Sequence, residues 1–186
     1  MGKAWKYVIG ILLCVLISLN AYAQEIAKDP NVAALLLATS ANEMEKVKAI
    51  LKNGVDVNVK SENGETALMI GAHHPEMVKF LLELGARVNL KNKFGATALM
   101  YSALDYREGA NLLVAAGANV NAKDKDGKTA LMLAACAGRA DNVKLLINAG
   151  ADINARDKQG KTALAYAAEA NQEDTIEILE EFGAVR

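Results

Sequence analysis

Asp126-Gly127-Lys128-Thr129-Ala130-Leu131-Met132 is the stretch that decides the fold, because the chain repeats its frame four times. The other copies are Asn63-Gly64-Glu65-Thr66-Ala67-Leu68-Met69, Phe94-Gly95-Ala96-Thr97-Ala98-Leu99-Met100 and Gln159-Gly160-Lys161-Thr162-Ala163-Leu164-Ala165. In each, a Gly suited to a tight turn leads to a Thr that can cap a helix N-terminus. A helical apolar pattern follows. A second motif recurs in phase with the first: Asn53-Gly54-Val55-Asp56-Val57-Asn58, Leu84-Gly85-Ala86-Arg87-Val88-Asn89, Ala116-Gly117-Ala118-Asn119-Val120-Asn121 and Ala149-Gly150-Ala151-Asp152-Ile153-Asn154. Phe182-Gly183-Ala184-Val185 opens a fifth copy. Its glycines step by 31, 32, 33 and 33 residues and each follows an apolar run, where a helix ends.

A fixed period of this length marks a solenoid, whose units bury apolar surface only by stacking. Leu68, Leu99, Leu131 and Leu164 face inward from the first helix of each unit. Val78, Leu81, Leu112, Leu113, Val143, Leu145, Leu146, Ile176 and Leu179 supply the second helix. Ala72, Ala103, Ala134, Ala135, Ala167 and Ala168 let the helices sit close. Composition agrees: 52% of the 186 residues are apolar but only 5% aromatic, which suits packed helices better than a sandwich or barrel.

The pattern resembles the ankyrin repeat over residues from about Asn31 to Val185. The resemblance implies an all-α solenoid of five helix–turn–helix units, each with a β-turn finger. The repeats fall at about 31–60, 61–91, 92–123, 124–156 and 157–186. The usual Thr-Pro-Leu-His becomes Thr-Ala-Leu-Met here, or Thr-Ala-Leu-Ala in the last unit. The first helical Pro and the His that bonds back to Thr are missing, at some expected cost in rigidity. The second and third units are short by two and one residues. The deficit lies around His73-His74-Pro75 and Leu104-Asp105-Tyr106, which predicts irregular turns between those helices. The ends read as caps. Asp29-Pro30-Asn31 replaces the first finger, and Glu180 stands where earlier units have Leu51, Leu82, Val114 and Ile147.

Residues 1–23 have a different character. Lys3 and Lys6 precede an almost continuous apolar run from Val8 to Leu19, and Ala21-Tyr22-Ala23 supplies small residues for cleavage. This is the layout of a secretory signal of an exported, bacterial-type protein, cut between Ala23 and Gln24. The run is shorter than the roughly 18–20 residues that span a bilayer, so no membrane segment is expected after cleavage. Residues 24–30 then form a short linker. Removing Lys3 and Lys6 from 21 basic residues leaves 19 against 22 acidic, a net charge of -3. It also leaves Cys136 as the only thiol, so no internal disulfide can form.

No phosphate loop, nucleophile elbow or zinc-protease motif is present, and no enzyme activity, cofactor or metal is expected. His73 and His74 are adjacent, and neighbours on a helix point about 100° apart, a poor arrangement for sharing one metal. Cys136 falls at the end of a first helix and is read as a small packing residue. Asp124/Asp126 and Asp152/Asp157 lie in loops without calcium-loop spacing and are explained by turn chemistry.

The resemblance places function in the non-repeating residues of the fingers and inner helices. That surface comprises Glu62, Asn63, Glu65, His73, His74, Lys93, Phe94, Ala96, Leu104, Asp105, Tyr106, Lys125, Asp126, Lys128, Lys158, Gln159, Lys161 and Glu169. Phe94 stands where sister units have Asn63, Asp126 and Gln159, and Tyr106 sits in the shortened turn of the same unit. Aromatic anchors dominate interfaces, which favours the third repeat; the alternative is that Phe94 folds back onto its own hairpin. Lys91, Lys93, Lys123, Lys125, Lys128, Arg156, Lys158 and Lys161 make a stripe, diluted by Asp124, Asp126 and Asp157, that reads as a solvated face able to steer an acidic partner. The expected function is that of a monomeric protein-binding module in the periplasm or secreted, acting as adaptor, inhibitor or protector. Its partner is another protein, not nucleic acid. A secreted effector binding a host protein shares the same fold, and a metal- or thiol-dependent protein using His73, His74 or Cys136 is the remaining alternative.

Overall fold

A computed structural model describes residues 29–105 and 107–185, with Arg107 placed by its backbone alone. The secretory signal, its cleavage site and Tyr106 lie outside the described residues. Within them the secondary structure is helical with no strand: α1 (Pro30–Ser40), α2 (Met44–Lys52), α3 (Ala67–Ile70), a 3-10 turn (Gly71–His73), α4 (Pro75–Glu83), α5 (Ala98–Ser102), α6 (Arg107–Ala115), α7 (Ala130–Cys136), α8 (Ala140–Asn148), α9 (Ala163–Glu169) and α10 (Glu173–Glu181). None of these helices is long and apolar enough to cross a membrane.

The helices pair as α1/α2, α3/α4, α5/α6, α7/α8 and α9/α10, and the pairs stack in chain order. First helices form one row and second helices another. The predicted inward leucines Leu68, Leu99, Leu131 and Leu164 are all buried, as are Met69, Met100 and Met132 beside them. Burying such side chains is worth about 1.5–3 kcal/mol each before entropy is charged against it. Leu112 and Ile176 are only partly buried. Ala168 is exposed, unlike its counterpart Ala135, because it lies on the outer side of the last described pair.

Three helix starts use the expected cap. Thr66, Thr129 and Thr162 accept the backbone N–H of Met69, Met132 and Ala165, each at 3.3 Å. These bonds satisfy a donor that the helix leaves orphaned, and they form without the His of the usual motif. Thr97 departs from the expectation: it has the same extended backbone but its side chain makes no cap bond. At the other end of the array α1 starts at Pro30, one residue inside the segment read as linker. Asp29 is its cap, with Oδ1 accepting from Asn31 at 2.9 Å and Val32 at 3.3 Å, and Pro is well suited to a first helical position.

The missing residues are absorbed where the sequence places them. α3 has four residues and gives way to the 3-10 turn, and α5 has five, whereas α7 and α9 have seven each. α6 lies close against the turn of the repeat before it. A Cβ on Gly109 would lie 2.6 Å from the Ala72 carbonyl oxygen, so only Gly fits. One repeat later Asn142 takes this position. Its buried amide donates to the carbonyls of Ser102, Ala103 and Asp105 at 3.4, 3.1 and 2.8 Å, satisfying the irregular turn of the third repeat.

Candidate protein-binding face

Each finger is folded around one short polar side chain. Asn92 Oδ1 accepts the N–H of Phe94 and of Ala96, both at 2.9 Å. Asp124 Oδ1 accepts from Asp126 and Lys128 at 2.9 and 2.8 Å, and Asp157 Oδ1 from Gln159 and Lys161 at 2.8 and 2.9 Å. Asp152 Oδ1 likewise accepts from Asn154 at 3.1 Å. The acidic loop residues thus serve turn chemistry, as expected. Among the described residues no group of three or more His, Cys, Asp or Glu side chains converges as metal ligands would.

The fingers are tied to one another by backbone bonds: Lys93 N–H to Asn63 O at 2.7 Å, Lys125 to Phe94 O at 2.8 Å, and Lys158 to Asp126 O at 2.9 Å. The approach is close enough that a Cβ on Gly95 would lie 2.9 Å from the Lys125 nitrogen. Phe94 is therefore held on both sides, its N–H by Asn92 and its carbonyl by Lys125. The residue nevertheless stays 58% exposed, so its side chain does not fold back onto its hairpin. A fixed backbone presenting an open aromatic ring loses little entropy on being covered.

Two further ladders connect the repeats. Asn58, Asn89, Asn121 and Asn154 accept the N–H of Arg87, Asn119, Asp152 and Val185 at 2.8–2.9 Å. The amides of Asn58, Asn89 and Asn121 also donate to the carbonyls of Gly85, Gly117 and Gly150. Lys60, Lys91 and Lys123 each reach the carbonyl of the next unit, Lys91, Lys123 and Arg156, at 3.0, 2.7 and 3.0 Å. Lys91 and Lys123 thus belong to the scaffold rather than to a purely solvated stripe. The signal for both ladders lay in the sequence, as residues recurring at the period with no packing reason to do so.

The first helices add two tyrosines that sequence reasoning passed over. Tyr101 and Tyr166 occupy one position, held by Ile70 and Leu133 in alternate repeats. Asn92 donates its amide to the Tyr101 oxygen at 3.1 Å, which leaves the Tyr101 hydroxyl to donate to Glu65 Oε1 at 2.8 Å. Tyr166 donates to Asp157 Oδ2 at 2.7 Å. An Asn or an Asp in the finger thus sets which way the hydroxyl points. The Tyr166 ring is flanked by Lys128 and Lys161, 5.9 and 5.5 Å from its centroid, in cation–π range. Lys161 also pairs with Glu169 at 2.8 Å.

Asp157 is buried, which by itself raises its pKa. The Tyr166 hydroxyl, the Lys161 and Gln159 N–H groups and the Lys128 charge outweigh that and hold it below the usual carboxylate range. Cys136 packs half-buried at the end of α7. Burial pushes its thiol up; Lys128 and Lys161 oppose this, and Glu169 adds to it. Such a thiol is a poor nucleophile at neutral pH.

The face brings together Lys93, Phe94, Lys125, Asp126, Lys158 and Gln159, all exposed on successive fingers. Glu62, Asn63 and Lys128 are half-buried beside them. His73, His74, Leu104 and Asp105 form a second group at the shortened turns. There His73 Nδ1 lies 3.1 Å from Asp105 Oδ2, and Arg139 Nε donates to the Leu104 carbonyl at 2.9 Å.

Paired helices stacked at a fixed period, with linked fingers along one edge, define a repeat solenoid. A family model described as Ankyrin repeats (3 copies) matches residues 35–124 and again residues 99–184. The chain belongs to the ankyrin-repeat family. No curated protein matches it. Ankyrin repeats form protein–protein interaction modules, and proteins of the family are generally non-catalytic.

Proposed function

We propose that this protein is exported to the periplasm or beyond the cell, and there holds a partner protein against its finger face as a monomeric, non-catalytic adaptor, inhibitor or protector. The Phe94 ring carries the reading. It is open on a finger whose backbone is bonded on both sides, the setting in which aromatic side chains anchor interfaces. The charged leader and the small residues at 21 and 23 support export.

Two measurements test this. Fractionation with N-terminal sequencing should find the protein outside the cytoplasm, beginning at Gln24; a cytoplasmic protein beginning at Met1 would remove the export reading. A photo-crosslinking residue at position 94 should capture a defined protein from envelope extract, and Phe94→Ala should lose it in a pull-down. Capture unaffected by Phe94→Ala moves the site away from the third finger.

A further inference from the structure

Most finger cations are occupied within the fold. Lys60, Lys91 and Lys123 bond carbonyls of the next repeat, Arg156 bonds the Gly160 carbonyl, and Lys128 and Lys161 flank Tyr166. Lys93, Lys125 and Lys158 are different. They take one position in three successive fingers, where the preceding finger has Glu62. All three are exposed, and among the described residues none of their ammonium groups has a hydrogen-bond or ion-pair partner. Their backbones are not free, because each N–H is bonded to the finger before it. The row is thus three unneutralised charges on a pinned frame.

Spacing sets what fits. Neighbouring helices pack about 8–10 Å apart, so cations placed once per repeat recur at about that interval. A polyproline II segment turns once in three residues with a rise of about 3.1 Å per residue. Side chains at every third residue then share one side at about 9 Å intervals. A carboxylate at each such position meets one lysine per finger.

We propose that Lys93, Lys125 and Lys158 receive an extended acidic segment of the partner, with Asp or Glu at every third residue and an apolar side chain against Phe94. This rests on the protein-binding reading above. A nucleic acid is the poorer occupant. Asp126 stands exposed beside Lys125 in the row and would face a phosphate on a uniformly charged strand, whereas a peptide can place a neutral residue there.

The test uses the purified protein as the cell delivers it, with fluorescein-labelled nine-residue peptides followed by anisotropy. One peptide repeats Glu-Pro-Pro three times, a second has the same composition with its glutamates adjacent, and a third replaces Glu by Gln. The spaced peptide should bind about tenfold tighter than the adjacent-charge peptide. The Lys93→Gln/Lys125→Gln/Lys158→Gln variant should lose about tenfold and weaken the salt dependence, with an unchanged melting curve. Equal binding of both acidic peptides, or tighter binding of a single-stranded oligonucleotide, overturns the proposal, and so does an unaffected triple variant. Peptides that fail to bind while position 94 still captures a protein overturn the acidic segment alone. Failure of both removes the binding face with it.

Discussion

Tyr101 donates its hydroxyl to Glu65 Oε1 at 2.8 Å across a repeat boundary, 36 residues apart in the chain. Lys128 and Tyr166 repeat the same two positions two units later, with an ammonium group over the ring in place of a carboxylate at the hydroxyl. The finger of one unit thereby grips the first helix of the next, at alternate boundaries only.

This grip has a measurable worth. A hydrogen bond to a charged acceptor contributes about 1.5–3 kcal/mol, and less where solvent reaches it. Tyr101→Phe should therefore cost about 1–2 kcal/mol in urea unfolding. In a Glu65→Gln background the loss should be clearly smaller. Additive losses in the double-mutant cycle would show that the two residues do not act as a pair.

The asparagine ladder makes a second prediction. Asn89 Oδ1 accepts from Asn119 at 2.8 Å and its amide donates to the Gly117 carbonyl at 3.0 Å. Both bonds are exposed, so water replaces them in part. Asn89→Ala should cost about 1–2 kcal/mol for the two together. Asn89→Asp keeps the acceptor and loses the donor, and should fall between wild type and alanine in the same denaturation series.

The fold was legible because a periodic motif states its own register. Helix starts, inward leucines and the sites of the shortened turns could all be read from the spacing of Thr, Leu and Gly. The candidate face was legible only where a residue broke the pattern, as Phe94 does. What stayed hidden was pairwise geometry. Whether Lys91 is solvated or bonded to Lys123 depends on the offset between fingers, which one repeat cannot reveal. Tyr101 and Tyr166 gave no signal in the helix pattern, because only their polar partners in the fingers set them apart.

Burial separates two apolar residues of the finger motif. Leu131 is 1% exposed and Phe94 is 58% exposed. Leu131→Ala should cost about 2–5 kcal/mol as a core truncation, whereas Phe94→Ala should stay within about 0.5 kcal/mol of wild type. Urea midpoints at a constant m-value decide between them. A large loss from Phe94→Ala would place its ring in the core and remove it from the binding face.

Asp157 predicts how the last finger responds to acid. Its carboxyl is held below the ordinary range despite burial, because Tyr166, two backbone N–H groups and Lys128 favour the charged form. The sign follows from linkage. A folded pKa below the unfolded value, about 3.9, gives stability that is present in full above the unfolded value. That stability is lost as pH falls through it toward the folded value. Asp157→Asn is the informative variant, since Asn92 shows that an asparagine supports the same turn and pairs with the tyrosine in the reverse sense. The variant should fold at neutral pH but be less stable than wild type, and that difference should shrink between about pH 5 and pH 3. Urea titrations of both proteins at a series of pH values measure it. A difference that holds constant down to the lowest pH would mean that the carboxylate charge contributes nothing, and that only the shape of the turn matters.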